Sequence, residues 1–490
     1  MEPGDEQPLR IGVLVVAYNA ASTLASVLDR IPADFRPRIS DVLICDNNSD
    51  DSTYLVGLGY RQKDPDLPIT VIRNPRNVGY GGNQKVGYRW AIEHGLDIVV
   101  LLHADGQYAP EFLPQIVEPL ERGEADAVFG SRMMQPGGAR AGGMPLYKFV
   151  GNKVLTAFEN AVVGLDLSEW HSGYRAYRVD ALQDIPFEAN TDEYHFDTHI
   201  IVQLHEAGKR IVELPIPTYY GDEVSYVNGM RYARDIFGDI LRYRLHKMGL
   251  GSGEQAFASE AYGLKTGPST SHGRILAWLR SLPQARVLVL GPSGAELGAK
   301  ARDMGHEATG VGPEAPDKDA LDHFVVADLD EGLPDELGGP FEVVALVEVL
   351  ERVRDPDRLL RDVRRLLAPG GTIITAVSNF GHWYPRVRVA LGRFDYDRRG
   401  ILDRNNVRFF TQRTFERLAE RTGYAVLRRE SIGPPVEVLA RGSSDPERPL
   451  GRATRALRRV DSAGVVLRPR LFAYQFLYEL RPAAPATTSQ

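Results

Sequence analysis

The chain has 490 residues, 43% of them hydrophobic and 25% charged, with a formal net charge of −7. That length exceeds one ordinary core and asks for two or three domains, while so mild a charge gives no electrostatic footing for nucleic-acid binding. Cys45 is the single cysteine, which excludes intrachain disulfides and cysteine-built zinc sites and fits a reducing compartment.

No apolar run approaches the roughly 20 residues that span a bilayer, and the N-terminal MEPGDEQPLR lacks a signal-peptide pattern. The expectation is a cytoplasmic protein whose contact with a membrane, if it has one, is peripheral.

In chain order, residues 11–16 (IGVLVV) and 42–45 (VLIC) read as buried parallel strands. Between them Leu24, Val27, Leu28 and Ile31 recur at helical spacing, with Ser22 as the N-cap. Further strands are expected at 69–72, 98–102 and 126–130. Strand and helix alternate, so residues 1–248 are expected to form a doubly wound α/β domain. Residues 249–273, rich in Gly, Ser and Thr, read as a linker. A second βα series covers 274–437, with strands at 286–290, 307–311, 341–346 and 371–377. Its clearest helix is 356–367: Asp355 caps it, Pro356 opens it, Leu359, Leu360, Val363, Leu366 and Leu367 form its apolar face, and Pro-Gly-Gly ends it. Residues 438–490 read as an extension, Arg-rich, then apolar (LFAYQFLYEL), then disordered in character (RPAAPATTSQ).

Ligands of parallel α/β sheets sit at the carboxyl ends of strands. Four such ends here are polar: AYNAAS, DNNSDDST, RNPRNVGYGGNQ and HADGQ. Asp46 is placed to accept hydrogen bonds from a base or ribose. Gly79, Gly81 and Gly82 let backbone come close to a ligand. Asp105 and Gln107 offer oxygens to a hard cation. Each signal alone reads equally as a turn or a helix cap, and the ordered set of four carries the inference.

That set resembles the family-2 glycosyltransferases of the GT-A fold, near the dolichyl-phosphate mannosyltransferase and polyprenyl-phosphate glycosyltransferase group. The segments that carry it are AYNAAS, VLICDNNSDDST, NVGYGGNQKVG, FGSRM at 129–133 and HSGYRAYR at 171–178. The resemblance implies inverting transfer of a sugar from a nucleotide sugar to a polyprenyl phosphate or glycan acceptor. It implies nucleotide-sugar contacts from Ala17, Tyr18, Asn19, Asp46, the Gly79, Gly81 and Gly82 turn, and Asp105. Arg132 and Arg175 would contact phosphates, for which a planar guanidinium is suited. Asp105 would hold Mn²⁺ or Mg²⁺ on the diphosphate, with Gln107 and His103 beside it; His103 stands where relatives carry the first Asp of a DxD pair. Asp197, in YHFDTHI, stands where relatives carry an acid facing the acceptor, which makes Asp105 and Asp197 the expected catalytic carboxylates. An ionised phosphate acceptor needs no strong base, whereas a hydroxyl acceptor does. Ala20 and Val16 replace the usual Glu and Pro, which leaves the nucleotide open.

Between 230 and 249, Met230, Ala233, Phe237, Ile240 and Leu241 share one helix face, with Arg231, Arg234, Arg242, Arg244 and Lys247 around them. Such a helix either lies on an anionic membrane surface or packs on its own domain.

Residues from 275 to about 435 resemble a class I S-adenosylmethionine (SAM)-dependent methyltransferase, a Rossmann-like fold, through RVLVLGPSGAEL, VADLDEGLP, VEVLERVRDP and LAPGGTIITAV. A retained cofactor site would use Gly291, Gly294, Glu314 and Asp328. Several positions depart from the family pattern: Pro292, Ser293 and Ala295 in the first turn, Gly312 where an acid should grip the ribose, and Arg352 and Asn406 in place of histidines. Each lost hydrogen bond to a charged group costs about 1.5–3 kcal/mol, so SAM binding is expected to be weak or absent. The readings left open are a degenerate methyltransferase domain on a glycosyltransferase, a bifunctional enzyme that also O-methylates, and a non-catalytic scaffold of a glycan-assembly complex. Oligomeric state has no signature in the sequence.

Overall fold

The structure, a computed structural model, describes residues 8–217, 219, 228–247, 264, 267–314, 321, 323–397, 400–434, 459 and 462–483. These fall into two compact units, one running to Arg244 and the other from Leu245 onward.

The first unit is built on seven strands: β1 (Ile11–Ala17), β2 (Ile39–Asp46), β3 (Ile69–Arg73), β4 (Ile98–His103), β5 (Ala127–Ser131), β6 (Arg175–Arg178) and β7 (Ile211–Pro215). Their order is β3-β2-β1-β4-β6-β5-β7. β1 is buried along its whole length because β2 and β4 flank it in parallel and apolar clusters fill both faces. That is why its sequence is an unbroken apolar run rather than an alternation. The order reverses between β1 and β4. At such a switch point the loops diverge and leave a crevice at the carboxyl ends, here between Ala17 and His103. β6 runs antiparallel to both β4 and β5.

The second unit repeats the principle with β8 (Arg286–Leu290), β9 (Glu307–Gly312), β10 (His323–Val326), β11 (Phe341–Val347), β12 (Leu367–Ser378), β13 (Tyr424–Ile432) and β14 (Gln475–Pro482), in the order β10-β9-β8-β11-β12-β14-β13. Asp355 caps the helix Pro356–Leu366 by accepting the Arg358 N–H at 2.9 Å.

Several expectations need correction. The first helix, Leu24–Asp29, has Thr23 rather than Ser22 at its N-cap, with no side-chain cap bond. The helix after Asp355 ends at Leu366, and the Pro-Gly-Gly that follows already belongs to β12. Most of the supposed linker 249–273 lies outside the described residues. Its last three residues are helical, because Thr270 accepts the Gly273 N–H and starts the helix Ser271–Arg280. The 438–490 extension is not an appendage: its apolar segment supplies β14, antiparallel to both β12 and β13. Phe476, Tyr478 and Leu480 enter one core and Leu477 the other, so this strand is buried on both faces. The Arg-rich residues before it and the terminal RPAAPATTSQ lie largely outside the described residues. Among the described residues no helix is long and apolar enough to cross a membrane.

Phe476 is buried. Phe476→Ala should therefore cost the second unit about 3–5 kcal/mol. Hydrogen exchange checks this: amides of β11, β12 and β14 should lose protection while those of β1 and β4 keep theirs.

Candidate active site

A cleft of about 1930 Å³ opens at the switch point. Val16 and Ala17 bring in the end of β1, and His103 the end of β4. Asn19, Asn47, Arg76 and Tyr80 line it on one side; Arg132, Lys148, His171 and Tyr232 line it on the other. Of the expected site residues, Ala17, Tyr18, Asn19, Gly79, His103, Asp105, Gln107, Arg132 and Asp197 reach this cleft. Asn19 adopts a left-handed conformation (φ 50). It is held there by its N–H on Ser49 Oγ (2.9 Å) and by its side-chain oxygen, which accepts the Asp50 N–H (3.0 Å).

Asp46 does not face the cleft. It is fully buried, accepts the Ser49 N–H at 3.2 Å and lies 3.3 Å from Arg73 Nε. It braces the turn after β2, and its neighbour Asn47 reaches the cleft instead. Asn47 accepts the Val78 N–H (2.9 Å) and donates to Asn77 (2.9 Å), so it ties the second and third loops together.

The glycine cluster also has a different partner from the one expected. A Cβ on Gly79 would stand 2.3 Å from the Asp192 carbonyl oxygen, and one on Gly81 would stand 2.5 Å from the Thr191 carbonyl oxygen. Gly82 packs on Val78 and Asp192. The close approach is made by the chain's own backbone, which the Gly81 N–H holds at Asp192 O (2.8 Å). Lys85, one turn along the helix Tyr80–Glu93, adds a bond to the Asp192 carboxylate (2.7 Å).

This docking sets Asp197, which opens the helix Phe196–Glu206, against that same helix. Asp197 accepts from Tyr80 Oη (3.1 Å) and Gln84 Nε2 (3.4 Å), and Arg175 Nη2 lies 3.9 Å away. Arg175 itself is buried and outside the cleft lining. It donates to the carbonyls of Ser172 and Trp170, both at 2.7 Å, and sits over the Phe129 ring. The expected phosphate contact from Arg175 is therefore replaced by a bracing role. Burial disfavours its charge, but Asp197 and nearby tyrosines hold its affinity for the proton above the ordinary value.

Arg132 does line the cleft, but as half of an ion pair. Its backbone N–H and Nε bond Glu169 at 2.7 and 2.8 Å, and Nη2 reaches His171 O at 2.9 Å. Burial pushes the Glu169 carboxyl up, and Arg132 more than reverses this, so it sits below the usual range. Any anion that meets Arg132 also meets this carboxylate behind it.

At the HADGQ turn, Asp105 Oδ1 accepts the Gln107 N–H (3.0 Å), and Asp105 and Gln107 both line the cleft. His103 packs between Tyr80 (Oη to Nε2, 3.3 Å) and the edge of Tyr108. Gly173 is glycine because a Cβ there would come within 2.5 Å of His103 Nε2. Burial lowers the His103 pKa, with Arg132 and Arg175 acting the same way against Asp105 and Asp197. The neutral ring, a carboxylate and an amide oxygen are a donor set that suits Mn²⁺ or Mg²⁺.

Sequence reasoning missed Tyr80, Glu159, Glu169 and Tyr232. Tyr80 lies inside the quoted NVGYGG stretch; the buried acids had no motif to mark them. The basic helix, Gly229–Lys247, also differs from its expected face. Ile240 and Arg244 are buried, Arg242 pairs with Asp239, and Arg231 and Arg234 pair with Asp235. Asp239 also gathers His199 (2.8 Å) and His195 (3.4 Å) in an arrangement resembling a metal site. The Thr191 N–H donates to His199 Nδ1 (3.3 Å), which fixes the other proton on Nε2, facing Asp239. A metal-binding imidazole needs the opposite arrangement, with its second nitrogen donating. The cluster is a hydrogen-bonded brace between two helices.

In the second unit, Gly291 and Gly294 sit in the turn after β8, where Cβ atoms would strike Val347 O and Val311 O, both at 2.8 Å. Ser293 is buried, its Oγ 3.3 Å from His272 Nε2. Gly312 lies under the Gly291 carbonyl, and Glu314 and Asp328 are exposed. Asp328 turns back onto the Asp330 N–H. Arg352 stands between Glu348 (3.7 Å) and Asp403 (3.5 Å). Among the described residues, β9 ends in Gly312, which has no side chain to offer a ribose, and Glu314, two residues on, is exposed.

Residues 12–186 match the family described as Glycosyl transferase family 2, and residues 270–429 match one described as Methyltransferase domain. The chain is similar to an undecaprenyl-phosphate mannosyltransferase of Micrococcus luteus, with 34% identity over 209 residues, 42% of this chain and 83% of that one. It is similar to a polyprenol monophosphomannose synthase of Mycolicibacterium smegmatis, with 27% identity over 217 residues, 44% of this chain and 80% of that one. A UDP-N-acetylglucosamine–dolichyl-phosphate N-acetylglucosaminyltransferase of Methanococcus voltae is 26% identical over 251 residues, 49% of this chain and 96% of that one.

Gly81→Ala drives a methyl group into backbone, which cannot swing aside. It should cost the first unit about 1–3 kcal/mol. Urea unfolding measures this, and Gly59→Ala, with open space at its Cβ position, is the control that should cost less.

Proposed function

The chain belongs to glycosyltransferase family 2, and from that premise we propose that it moves a sugar from a nucleotide sugar onto the phosphate of a polyprenyl phosphate. The relatives are named for undecaprenyl phosphate, polyprenol monophosphomannose and dolichyl phosphate, so a lipid phosphate is their common chemistry. The observation that carries the reading is the state of Asp197. Its oxygens accept from Tyr80 and Gln84 and face the Arg175 guanidinium, and in this reading it orients those groups rather than taking a proton. A phosphate acceptor, ionised beforehand, needs no base.

In this reading the nucleotide lies along Ala17, Tyr18, Asn19 and Asn47. Asp105 and Gln107 would hold a divalent cation, with the neutral His103 ring beside them as a further, weaker donor. The cation, when bound, offsets the charge of the leaving diphosphate. The acceptor phosphate enters beside Arg132, Lys148 and His171. Glu169 holds the Arg132 guanidinium in place and tempers its charge, which lets the lipid product leave.

The acceptor's chain leaves over an apolar rim. Tyr147, Val154 and Met230 line the cleft and are exposed, and Leu146, Val150, Phe237 and Leu241 continue that exposed surface on the same two helices. The helices Leu146–Val163 and Gly229–Lys247 meet through the Phe158–Phe237 stack, 5.0 Å between centroids. A patch of this kind suits a membrane surface, and with Arg231, Arg234 and Arg242 beside Asp235 and Asp239 the attraction is mainly hydrophobic in this reading. We propose further that the second unit binds no SAM and transfers no methyl group.

With a prenyl phosphate acceptor, Asp105→Asn should abolish transfer. His103→Asp should keep activity and shift the preferred ion from Mn²⁺ toward Mg²⁺, since carboxylate suits Mg²⁺ better than imidazole does. Full activity of Asp105→Asn, or of the parent in chelator, rejects the metal role. In liposome flotation, Val150→Asp with Val154→Asp should reduce membrane recovery, and high salt should not. Loss of binding in salt would return the attraction to the basic residues.

A further inference from the structure

Behind the acceptor side of the cleft lies a chain of three side chains. Glu159 is fully buried and accepts from Thr198 Oγ1 (3.0 Å) through one oxygen. Its other oxygen, Oε2, stands 3.1 Å from His171 Nε2, an ion-pair distance without hydrogen-bond alignment, and both atoms are buried with no hydrogen-bond partner. The second ring nitrogen, Nδ1, is 3.0 Å from the hydroxyl of Tyr232. His171 and Tyr232 both line the cleft.

The proton positions follow from what each group can do. A carboxylate oxygen 3.1 Å away would repel a ring lone pair, so the geometry favours the ring proton on Nε2. In a neutral ring Nδ1 is then an acceptor. Tyr232 donates to it, and only lone pairs of the phenol face the cleft. In an imidazolium Nδ1 carries a proton and donates to the Tyr232 oxygen, which turns the phenol proton outward. A phosphate oxygen accepts hydrogen bonds and is served by the second arrangement alone.

We propose that Glu159, His171 and Tyr232 form a proton-coupled anion latch, in which a phosphate oxygen docking on Tyr232 draws a proton from solvent onto His171. The identity of the anion, the acceptor's phosphate monoester, rests on the glycosyl-transfer reading; the latch itself rests on the geometry. Burial, then Glu159 and Asp197, hold the Tyr232 phenol well above its ordinary range, so it remains a donor throughout. The charged groups around the relay are Glu159 on one helix, Arg132 whose guanidinium bonds the His171 carbonyl, Glu169 and Arg175 on the neighbouring segment, and Asp197 on the next helix. Tyr232 and His171 are positioning residues here, since no bond to the sugar passes through them.

The test is calorimetric titration of the full chain with farnesyl phosphate near neutral pH, in two buffers of unlike ionisation heat, which counts protons taken up. The parent should take up as much as roughly one proton more than Tyr232→Phe, and His171→Gln should match the Tyr232→Phe count. Tyr232→Phe removes a single oxygen, so its fold is retained. Equal proton counts in parent and variants, or no binding of farnesyl phosphate by the parent, overturn the latch. Equal counts together with sugar transfer onto farnesyl phosphate leave the glycosyl-transfer reading standing. Variant-dependent uptake with no transfer from any nucleotide sugar leaves the latch standing and rejects that reading. GDP with Mn²⁺ is the second arm: if Tyr232→Phe changes its proton count instead, the anion is the leaving diphosphate and the acceptor assignment is overturned.

Discussion

The first unit depends on a backbone-to-backbone contact. The start of the helix Tyr80–Glu93 lies so close to residues 191–192 that Gly79 and Gly81 have no room for a Cβ. A hydrogen bond from the Gly81 N–H to Asp192 O and the Lys85 ion pair close that contact. Tight packing of this kind is intolerant of even one added methyl. It fixes the phase of the following helix, and with it the meeting of Asp197 with Tyr80 and Gln84. Tyr80 in turn touches His103, so the wall behind the HADGQ turn depends on the same contact.

From there the site is organised as pairs of opposite charge below its surface. Arg132 with Glu169, and Arg175 with Asp197, are buried pairs whose partial removal would leave an uncompensated charge, a strongly destabilising change. Buried pairs of this kind contribute little net stability but hold orientation. They also mean that the cleft does not present a bare cluster of guanidiniums to phosphate. Its positive character is moderated, which suits an enzyme whose substrate and product are both anions.

Fold class and the ends of β1, β2 and β4 were legible because buried parallel strands are unbroken apolar runs and their carboxyl ends carry turn residues. β6 was not, since RAYR reads as polar and its arginine is buried against carbonyls of the preceding loop, Asp197 and the Phe129 ring. β14 was masked by the Arg-rich residues before it and by its distance in sequence from β12 and β13. Within the site, strand-end position predicted Ala17, Asn19 and Asp105 correctly as cleft residues. It misled for Asp46, because a carboxylate at a strand end can turn inward to Ser49 and Arg73. Glu159 and Tyr232 come from helices distant in sequence, and only the fold brings them to His171. The glycines were noticed for the right property, close approach, with the wrong partner.

The second unit keeps a Rossmann-like architecture, and the reading proposed above places the sugar transfer in the first unit. The most direct measurement is analysis of the product. Purified full chain is incubated with undecaprenyl phosphate, Mn²⁺ and, in turn, GDP-mannose, UDP-glucose and UDP-N-acetylglucosamine, and the lipid fraction is resolved by mass spectrometry. The account predicts a sugar esterified through its anomeric carbon to the lipid phosphate, with release of the nucleoside diphosphate from one of these donors. Sugar appearing only on a hydroxyl acceptor, or nucleotide-sugar hydrolysis without a lipid product, would contradict it.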